Sequence, residues 1–293
     1  MPEHLDYFTR VVALLLSLSL CACEASESSL PFQPPPDPPP PVLGWRTISS
    51  GEPLSGIYAA SHDCMYAVGA RGCVISFDGS EWKIFDRCTD ADLNAVTGSG
   101  GGLIAAGDGG LVFRHDGSSW TLMRSGTDRD ILSLWSPGGS DVFAAGRGGT
   151  ILRFDGSSWS ALDTATDYDL YDIHGSSAQD VYAVGDYGTI VHYDGTGCTV
   201  LTSPTKHWLR GVWAGSASDI FFTGYSGVIY HFDGKGWTLQ SSGTWSVIKD
   251  LWGTSPDNIF AVGEYGLVLH FDGYSWKGTY SDTDNYFECI TGT

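Results

Sequence analysis

Residues 209–244 read LRGVWAGSASDIFFTGYSGVIYHFDGKGWTLQSSGT and set the pattern for most of the chain. The segment holds four runs rich in β-branched and aromatic residues, namely LRGVW, DIFFTG, VIYHF and WTLQ. Gly, Ser, Asp or Lys lies between these runs, which is typical of short strands joined by turns. Because none of the runs is long enough for an ordinary helix, the segment predicts one four-stranded antiparallel unit. We name its strands A to D in chain order.

An Asp-Gly dipeptide marks the turn between strands C and D of this unit, and the chain repeats it six times. The aspartates are Asp78, Asp116, Asp155, Asp194, Asp233 and Asp272, at intervals of 38, 39, 39, 39 and 39 residues. A period near forty residues with four strands per unit is typical of the blades of a β-propeller. Asp and Gly are turn formers, and a tryptophan follows five of the six turns. We therefore interpret the repeated phrase as a scaffold element rather than as six binding sites.

The repeats predict an all-β fold, a β-propeller of four-stranded antiparallel blades with six complete repeats of about 39 residues. Two further segments resemble parts of a blade. WRTIS, from Trp45, has the pattern of strand D, and NYFECITGT, at residues 285–293, has the pattern of strand A. We expect a partial seventh blade shared by the two termini, with residues 44–293 forming the propeller. The sequence leaves open a truncated seven-bladed ring or a six-bladed ring with two spare strands.

The repeats over residues 45–293 resemble the Asp-box, or BNR-like, repeats of sialidases and photosystem II assembly factors. They also resemble the WD40/YVTN-type propellers of bacterial surface proteins. An Asp-box has the pattern S-x-D-x-G-x-T-W, whereas this chain places Asp and Gly side by side. The resemblance therefore implies the propeller fold and leaves the activity open.

The N-terminal segment predicts export. Residues 11–20, VVALLLSLSL, carry no charge and are too few to span a bilayer, which is typical of a signal peptide over residues 1–22. LCAC, at residues 20–23, resembles the lipobox of bacterial lipoproteins, with Cys23 as the lipidated residue; an ordinary signal peptide is the alternative. Residues 23–43 are rich in proline and predict an extended stalk. We expect a lipid-anchored protein of the bacterial cell envelope, at the outer membrane or the cell surface.

The net charge of the chain limits the classes of ligand that it can bind. The formal net charge is −19, which argues against nucleic acid, since that ligand needs basic patches. The sequence contains no calcium-loop, phosphate-loop or zinc-protease motif, and we expect no cofactor and no metal. His192, His231 and His270 recur at one position of strand C, which we interpret as structural hydrogen bonding.

The variable residues of the repeats predict the binding site. The loops from B to C and from D to the next A share one face of a propeller, and there the repeats differ most. The candidate ligand-binding residues are Arg147, Asp186, Tyr187, His207, Trp208, Tyr225, Trp245, Glu264 and Tyr265. Aromatic side chains with polar neighbours suit a protein or a glycan. We therefore expect a binding or scaffolding module for a protein or glycan ligand.

An enzyme is the alternative interpretation. Glycosidases of the Asp-box type use paired carboxylates, and Asp172, Asp186, Asp250 and Glu264 are the candidates. The chain lacks the sialidase Arg-Ile-Pro signature and a nucleophile elbow, which favours a protein without catalytic activity.

The cysteines predict one disulfide bond. Cys73 begins strand C and Cys88 follows strand D of the first repeat, so both lie at the same end of a strand pair. An exported protein can oxidise such a pair.

Overall fold

The structure is a computed structural model that describes residues 10–13, 52–85, 87–281 and 285–293. Six four-stranded antiparallel sheets follow one another along the chain, each in the order A-B-C-D, and form the predicted six blades. In blade one, strands A to D are β2 (Leu54–Ser61), β3 (Cys64–Gly69), β4 (Val74–Phe77) and β5 (Trp82–Ile84). In blade two they are β6 (Leu93–Ser99), β7 (Gly102–Gly107), β8 (Val112–His115) and β9 (Trp120–Met123). In blade three they are β10 (Ile131–Trp135), β11 (Val142–Gly146), β12 (Thr150–Phe154) and β13 (Trp159–Leu162). In blade four they are β14 (Leu170–Ser177), β15 (Asp180–Gly185), β16 (Ile190–Tyr193) and β17 (Cys198–Val200). In blade five they are β18 (Leu209–Ser216), β19 (Asp219–Gly224), β20 (Ile229–Phe232) and β21 (Trp237–Gln240). In blade six they are β22 (Ile248–Ser255), β23 (Asn258–Gly263), β24 (Leu267–Phe271) and β25 (Trp276–Tyr280).

The hydrophobic core lies between neighbouring blades. In one cluster, Phe143 and Ile151 of blade three pack against Ile173 and Val191 of blade four. Strand B contributes most to this packing because its side chains are buried on both faces, as in the run VFAAG of β11. Blades two to five are thus each packed between two other blades, and their burial depends on both neighbours.

The Asp-Gly turns hold the outer hairpins, as predicted. The Oδ1 atom of Asp155 accepts the N–H groups of Ser157 and Ser158 at 2.8 and 2.9 Å, and the same pair of bonds recurs in the other five blades. Hydrogen bonds from the Ser157 hydroxyl and from these two amides lower the pKa of Asp155 to about 2. Phe154 and Trp159 face each other across the hairpin with ring centroids 5.3 Å apart. The repeated phrase is therefore a scaffold element.

The strand-C histidines make the hydrogen bonds that the sequence predicts. His192 lies 2.8 Å from Asp180 and His231 lies 3.2 Å from Asp219, each measured from Nε2 to a carboxylate oxygen. His270 makes the equivalent bond to Asn258. Within the described residues, no group of three or more His, Cys, Asp or Glu side chains is arranged to hold a metal ion.

A seventh inner strand closes the ring. β26 (Phe287–Thr291) lies between β22 of blade six and β2 of blade one, where strand A of another blade would lie. It pairs in parallel with β1 (Arg10–Ala13), which falls within the predicted signal peptide. The predicted strand D at Trp45 lies outside the described residues, so the partial seventh blade stays a prediction.

The predicted disulfide bond between Cys73 and Cys88 is not formed, and none joins any two cysteines in the described part of the chain. Cys73 packs with Ala67 and Ile75 on one face of blade one. Cys88 packs against the cluster on the opposite face that contains Val74. The two cysteines do lie at one end of the strand pair, but the sheet of blade one separates their side chains.

The remaining N-terminal predictions, including lipidation at Cys23, lie outside the described residues. No helix in the described part of the chain is long and apolar enough to cross a membrane.

Candidate functional site: the loop face

The loops between strands B and C and between strand D and the next strand A form one face of the propeller, which we call the loop face. The six B–C turns are single 3-10 turns: Ala70–Gly72, Asp108–Gly110, Arg147–Gly149, Asp186–Gly188, Tyr225–Gly227 and Glu264–Gly266. They pack against the D–A loops. The N–H of Arg147, for example, donates to the carbonyl of Asp130, and the N–H of Gly148 donates to the carboxylate of Asp169 in the next blade.

The middle residue of every B–C turn has a left-handed backbone. Its φ lies between 53° and 65° in all six turns. Glycine occupies this position at 109 and 148, but Tyr187 and Tyr265 occupy it in blades four and six. A side chain in this conformation costs about 1–2 kcal/mol. Strain of this kind clusters at functional sites. Both tyrosines are more than half exposed, at 59% and 52%.

Four aromatic side chains of blades four and five touch in series, and we call them the aromatic ladder: Tyr168, Tyr187, Trp208 and Tyr225. The distances between successive ring centroids are 5.1, 6.1 and 5.4 Å. Each ring keeps between 37% and 59% of its residue's surface exposed. Two D–A loops and two B–C turns thus contribute to one continuous aromatic surface.

The structure brings some of the predicted residues together and leaves others apart. Tyr187, Trp208 and Tyr225 join the ladder. Trp245 is 88% exposed and makes no ring contact within the described residues, while Tyr265 packs instead against Tyr286, with ring centroids 5.3 Å apart.

The polar members of the predicted set also differ in their surroundings. Arg147 bridges Asp130 and Asp169 at 2.9 Å each, so its charge is already paired. His207 is exposed on the D–A loop, next to Trp208. Asp186 and Glu264 open the B–C turns that carry Tyr187 and Tyr265, and both are partly buried.

Three residues of the site are absent from the predicted set. Tyr168 extends the ladder at one end. Tyr171 and Arg210 lie beneath it, with the Arg210 guanidinium 4.2 Å from the centre of the Tyr171 ring. The Tyr171 hydroxyl donates to Asp186 at 2.7 Å. Burial and the neighbouring Asp186 carboxylate raise the pKa of Tyr171, so its hydroxyl stays protonated. The signal in the sequence for Tyr168 and Tyr171 is an adjacent aspartate, Asp167 and Asp172, whereas Arg210 has no such signal.

A central cavity of about 700 Å³ lies on the axis of the ring. It is lined by one equivalent residue of each inner strand: Ser55, Asn94, Leu132, Tyr171, Arg210, Lys249 and Glu288. The cavity is therefore formed by the inner strands of all six blades and by β26.

Two of the candidate catalytic acids line this cavity and hold neighbouring strands together. Asp172 accepts the N–H of Val212 in the next blade at 2.8 Å and the Ser133 hydroxyl at 2.7 Å. Asp250 accepts the N–H of Ile290 in β26 at 2.8 Å. Burial raises the pKa of both carboxyl groups, and their mutual repulsion adds to the rise at Asp250. The hydrogen bonds give these acids a structural role.

No protein-family model matches the chain, and no curated protein matches it in sequence. Solved structures do match its fold. "YCF48 bound to D1 peptide" has a TM-score of 0.64 at 16% identity, covering 78% of this chain and 81% of that one. "YCF48 from Cyanidioschyzon merolae" has a TM-score of 0.64 at 14% identity and covers 80% and 87%. The WD40 β-propeller domain of Doa1 has a TM-score of 0.72 at 14% identity and covers 83% and 86%.

Identities this low show a shared fold alone. The resemblance to Asp-box repeats has no matching family model and stays a prediction. The chain is a six-bladed β-propeller with a WD40-like fold.

Proposed function

We propose that this chain is a protein-binding module without catalytic activity, which holds an extended segment of a partner protein across the aromatic ladder. The single observation that carries the proposal is the ladder itself. Tyrosine and tryptophan dominate the energetics of protein interfaces because they bury a large area with few rotatable bonds. A contiguous exposed aromatic surface of this kind marks an interaction site.

The spacing of the ladder favours an extended peptide. Side chains on one face of an extended strand recur about every 6.6 Å. The successive ring centroids are 5.1–6.1 Å apart, so alternate side chains of a peptide would meet successive rings. The plane of the Trp208 ring is also steeply tilted against the rings of Tyr187 and Tyr225, at 72° and 71°. Tilted rings form clefts for side chains rather than one flat platform for a sugar ring.

The fold gives independent support. A protein of similar fold has been solved with a peptide bound to it. In the present chain, the candidate acids Asp172 and Asp250 already bind backbone amides, which favours binding over glycoside hydrolysis.

The test is a selection from a random peptide library on the purified chain, followed by affinity measurements on the selected peptides. Changing Trp208 and Tyr225 together to alanine should weaken binding at least about tenfold, since aromatic hot spots contribute about 2 kcal/mol or more. Tyr274→Ala is the matched control, because Tyr274 is 96% exposed on the opposite face. We expect the control to bind as the unchanged chain does.

Two results would contradict the proposal. Equal affinity in a folded double variant would place the site elsewhere. Capture of glycans on an array, with no peptide selected, would indicate a lectin-like module instead. Cleavage of those glycans would indicate an enzyme, and Asp172, Asp186, Asp250 and Glu264 would then be mutated first.

We propose further that the module is anchored in the bacterial cell envelope through a lipid on Cys23, with residues 24–43 as a stalk. Cys23→Ser should move the protein from the membrane fraction to the soluble fraction. Cys21→Ser is the control, because Leu20 directly precedes Cys21 where a lipobox needs a small residue. Palmitate labelling that persists in Cys23→Ser would contradict the anchor.

A further inference from the structure

We propose that the peptide segment bound by the loop face is cationic, and that its lysine or arginine side chains stack on tyrosines that stand next to carboxylates. This inference rests on the proposed function and adds the chemistry of the partner. It comes from the residues that surround the ladder rather than from the ladder alone.

Three acid–tyrosine pairs lie on the loop face: Asp167-Tyr168, Asp186-Tyr187 and Glu264-Tyr265. The three tyrosines are exposed by 49%, 59% and 52%. Among the described residues, none of the three carboxylates forms an ion pair. A cation over a tyrosine ring gains from the negative face of the ring, and a carboxylate beside the ring adds a charge-assisted hydrogen bond.

The chain already contains this arrangement twice, built from its own residues. Arg210 lies over Tyr171, whose hydroxyl donates to Asp186. The Nζ atom of Lys249 lies 5.0 Å from the centre of the Tyr286 ring and 2.5 Å from the Glu288 carboxylate. Arg210 and Lys249 thus each lie over a tyrosine ring that has a carboxylate nearby. The three exposed tyrosines, each directly preceded by an acidic residue in the sequence, offer the same two kinds of group to a partner.

The charge left over on this face is negative. Arg71 is paired with Glu52, and Arg147 is paired with Asp130 and Asp169. Among the described residues of these loops, the carboxylates without an ion pair outnumber the cations without one: Asp92, Asp108, Asp128, Asp163, Asp167, Asp186 and Glu264 against Arg124, Arg129 and Lys206. The whole chain carries a net charge of −19, so its field attracts a basic segment over a distance. An acidic peptide would meet unpaired carboxylates at the ladder and be repelled.

The experiment uses two fluorescent peptides in which glycine alternates with arginine or with glutamate. Their binding to the purified chain is followed by fluorescence anisotropy at low and at moderate salt. One variant combines Asp167→Asn, Asp186→Asn and Glu264→Gln, which keep the shape of each side chain. The control combines Asp63→Asn, Glu81→Gln and Asp257→Asn on the opposite face, with the same change in net charge.

The arginine peptide should bind, more weakly as the salt rises, and the glutamate peptide should not. The loop-face triple variant should lose about tenfold in affinity for the arginine peptide. The control triple variant should lose less than about twofold, because remote exposed charges are screened. Equal losses in the two triple variants would show that only the overall charge matters and would overturn the inference, as would binding of the glutamate peptide.

Failure of this inference is distinguishable from failure of the proposed function. One such result is a set of library-selected peptides that depend on Trp208 and Tyr225 and yet show no excess of lysine or arginine. The peptide-binding function would then stand and the cationic partner would fall. If the library yields no peptide and the arginine peptide does not bind, both fail together.

Discussion

Replacing Phe287 and Ile290 together with alanine is expected to lower the free energy of unfolding by about 5–7 kcal/mol. Both side chains of β26 are buried, at 3% and 6% exposure, in a cluster with Phe260, Val262 and Val268 of blade six. Truncating each one removes apolar contacts and leaves a cavity. Because domains of this kind are stable by only about 5–15 kcal/mol, the double variant should be close to unfolding at room temperature.

The measurement is urea denaturation followed by tryptophan fluorescence. The control variant combines Ile84→Ala with Leu122→Ala, which removes the same kind of group from the outer strands β5 and β9. These residues are 83% and 60% exposed, so the control should change stability by less than about 0.5 kcal/mol. A core variant as stable as the control would mean that β26 lies outside the cooperative unit and that the ring closes without it.

Gly110→Ala should cost about 3 kcal/mol or more, whereas Gly109→Ala in the same turn should cost only about 1 kcal/mol. Both glycines have a left-handed backbone, with φ of 70° and 65°. A Cβ at Gly110 would lie 2.2 Å from the carbonyl oxygen of Thr127 in the next D–A loop, while a Cβ at Gly109 would meet nothing within 4 Å. The pair therefore separates backbone strain from the collision with the neighbouring D–A loop.

Thermal melts of the two single variants check this prediction, and Gly109→Ala serves as the control for Gly110→Ala. The same contact recurs in four other blades, at Gly72, Gly149, Gly188 and Gly227, with distances of 1.9–2.2 Å to a threonine carbonyl. Similar melting temperatures for Gly109→Ala and Gly110→Ala would show that the loops can move apart and that blade spacing is not fixed at this point.

The blades were predictable because their signals are local and repeated. Each Asp-Gly turn is held by hydrogen bonds from amides within three residues of its aspartate. Asp155 and Trp159 can therefore be placed from the sequence. The partners of His192 and His231 follow from strand pairing, since a residue near the end of strand C lies opposite the start of strand B.

The disulfide prediction failed for a reason that strand geometry explains. Neighbouring positions along a strand point to opposite faces of the sheet. Cys73 and Cys88 lie at one end of their strand pair, but knowing the end does not give the face on which each side chain packs. That choice depends on the path of the chain after β5, which the spacing does not determine.

The contacts of the candidate site were also beyond prediction. The sequence indicated that Tyr187, Trp208 and Tyr225 share one face, but not that they touch, because two loops from neighbouring blades must meet. Glycine at the equivalent positions 109 and 148 is a sign of the left-handed backbone there, but Tyr187 itself carries no such signal, because tyrosine rarely adopts this conformation.

The shared conformation of the six B–C turns makes the loop face a modular display. Positions 71, 109, 148, 187, 226 and 265 all present their side chain from the same backbone, with ψ between 23° and 38°. A residue could be exchanged at most of them while the hairpins and the blade contacts stay as they are, whereas a Cβ at Gly148 would require the Arg129 side chain to move. The propeller thus separates what it recognises from how it folds, and new partners can arise by changing a few positions on an unchanged frame.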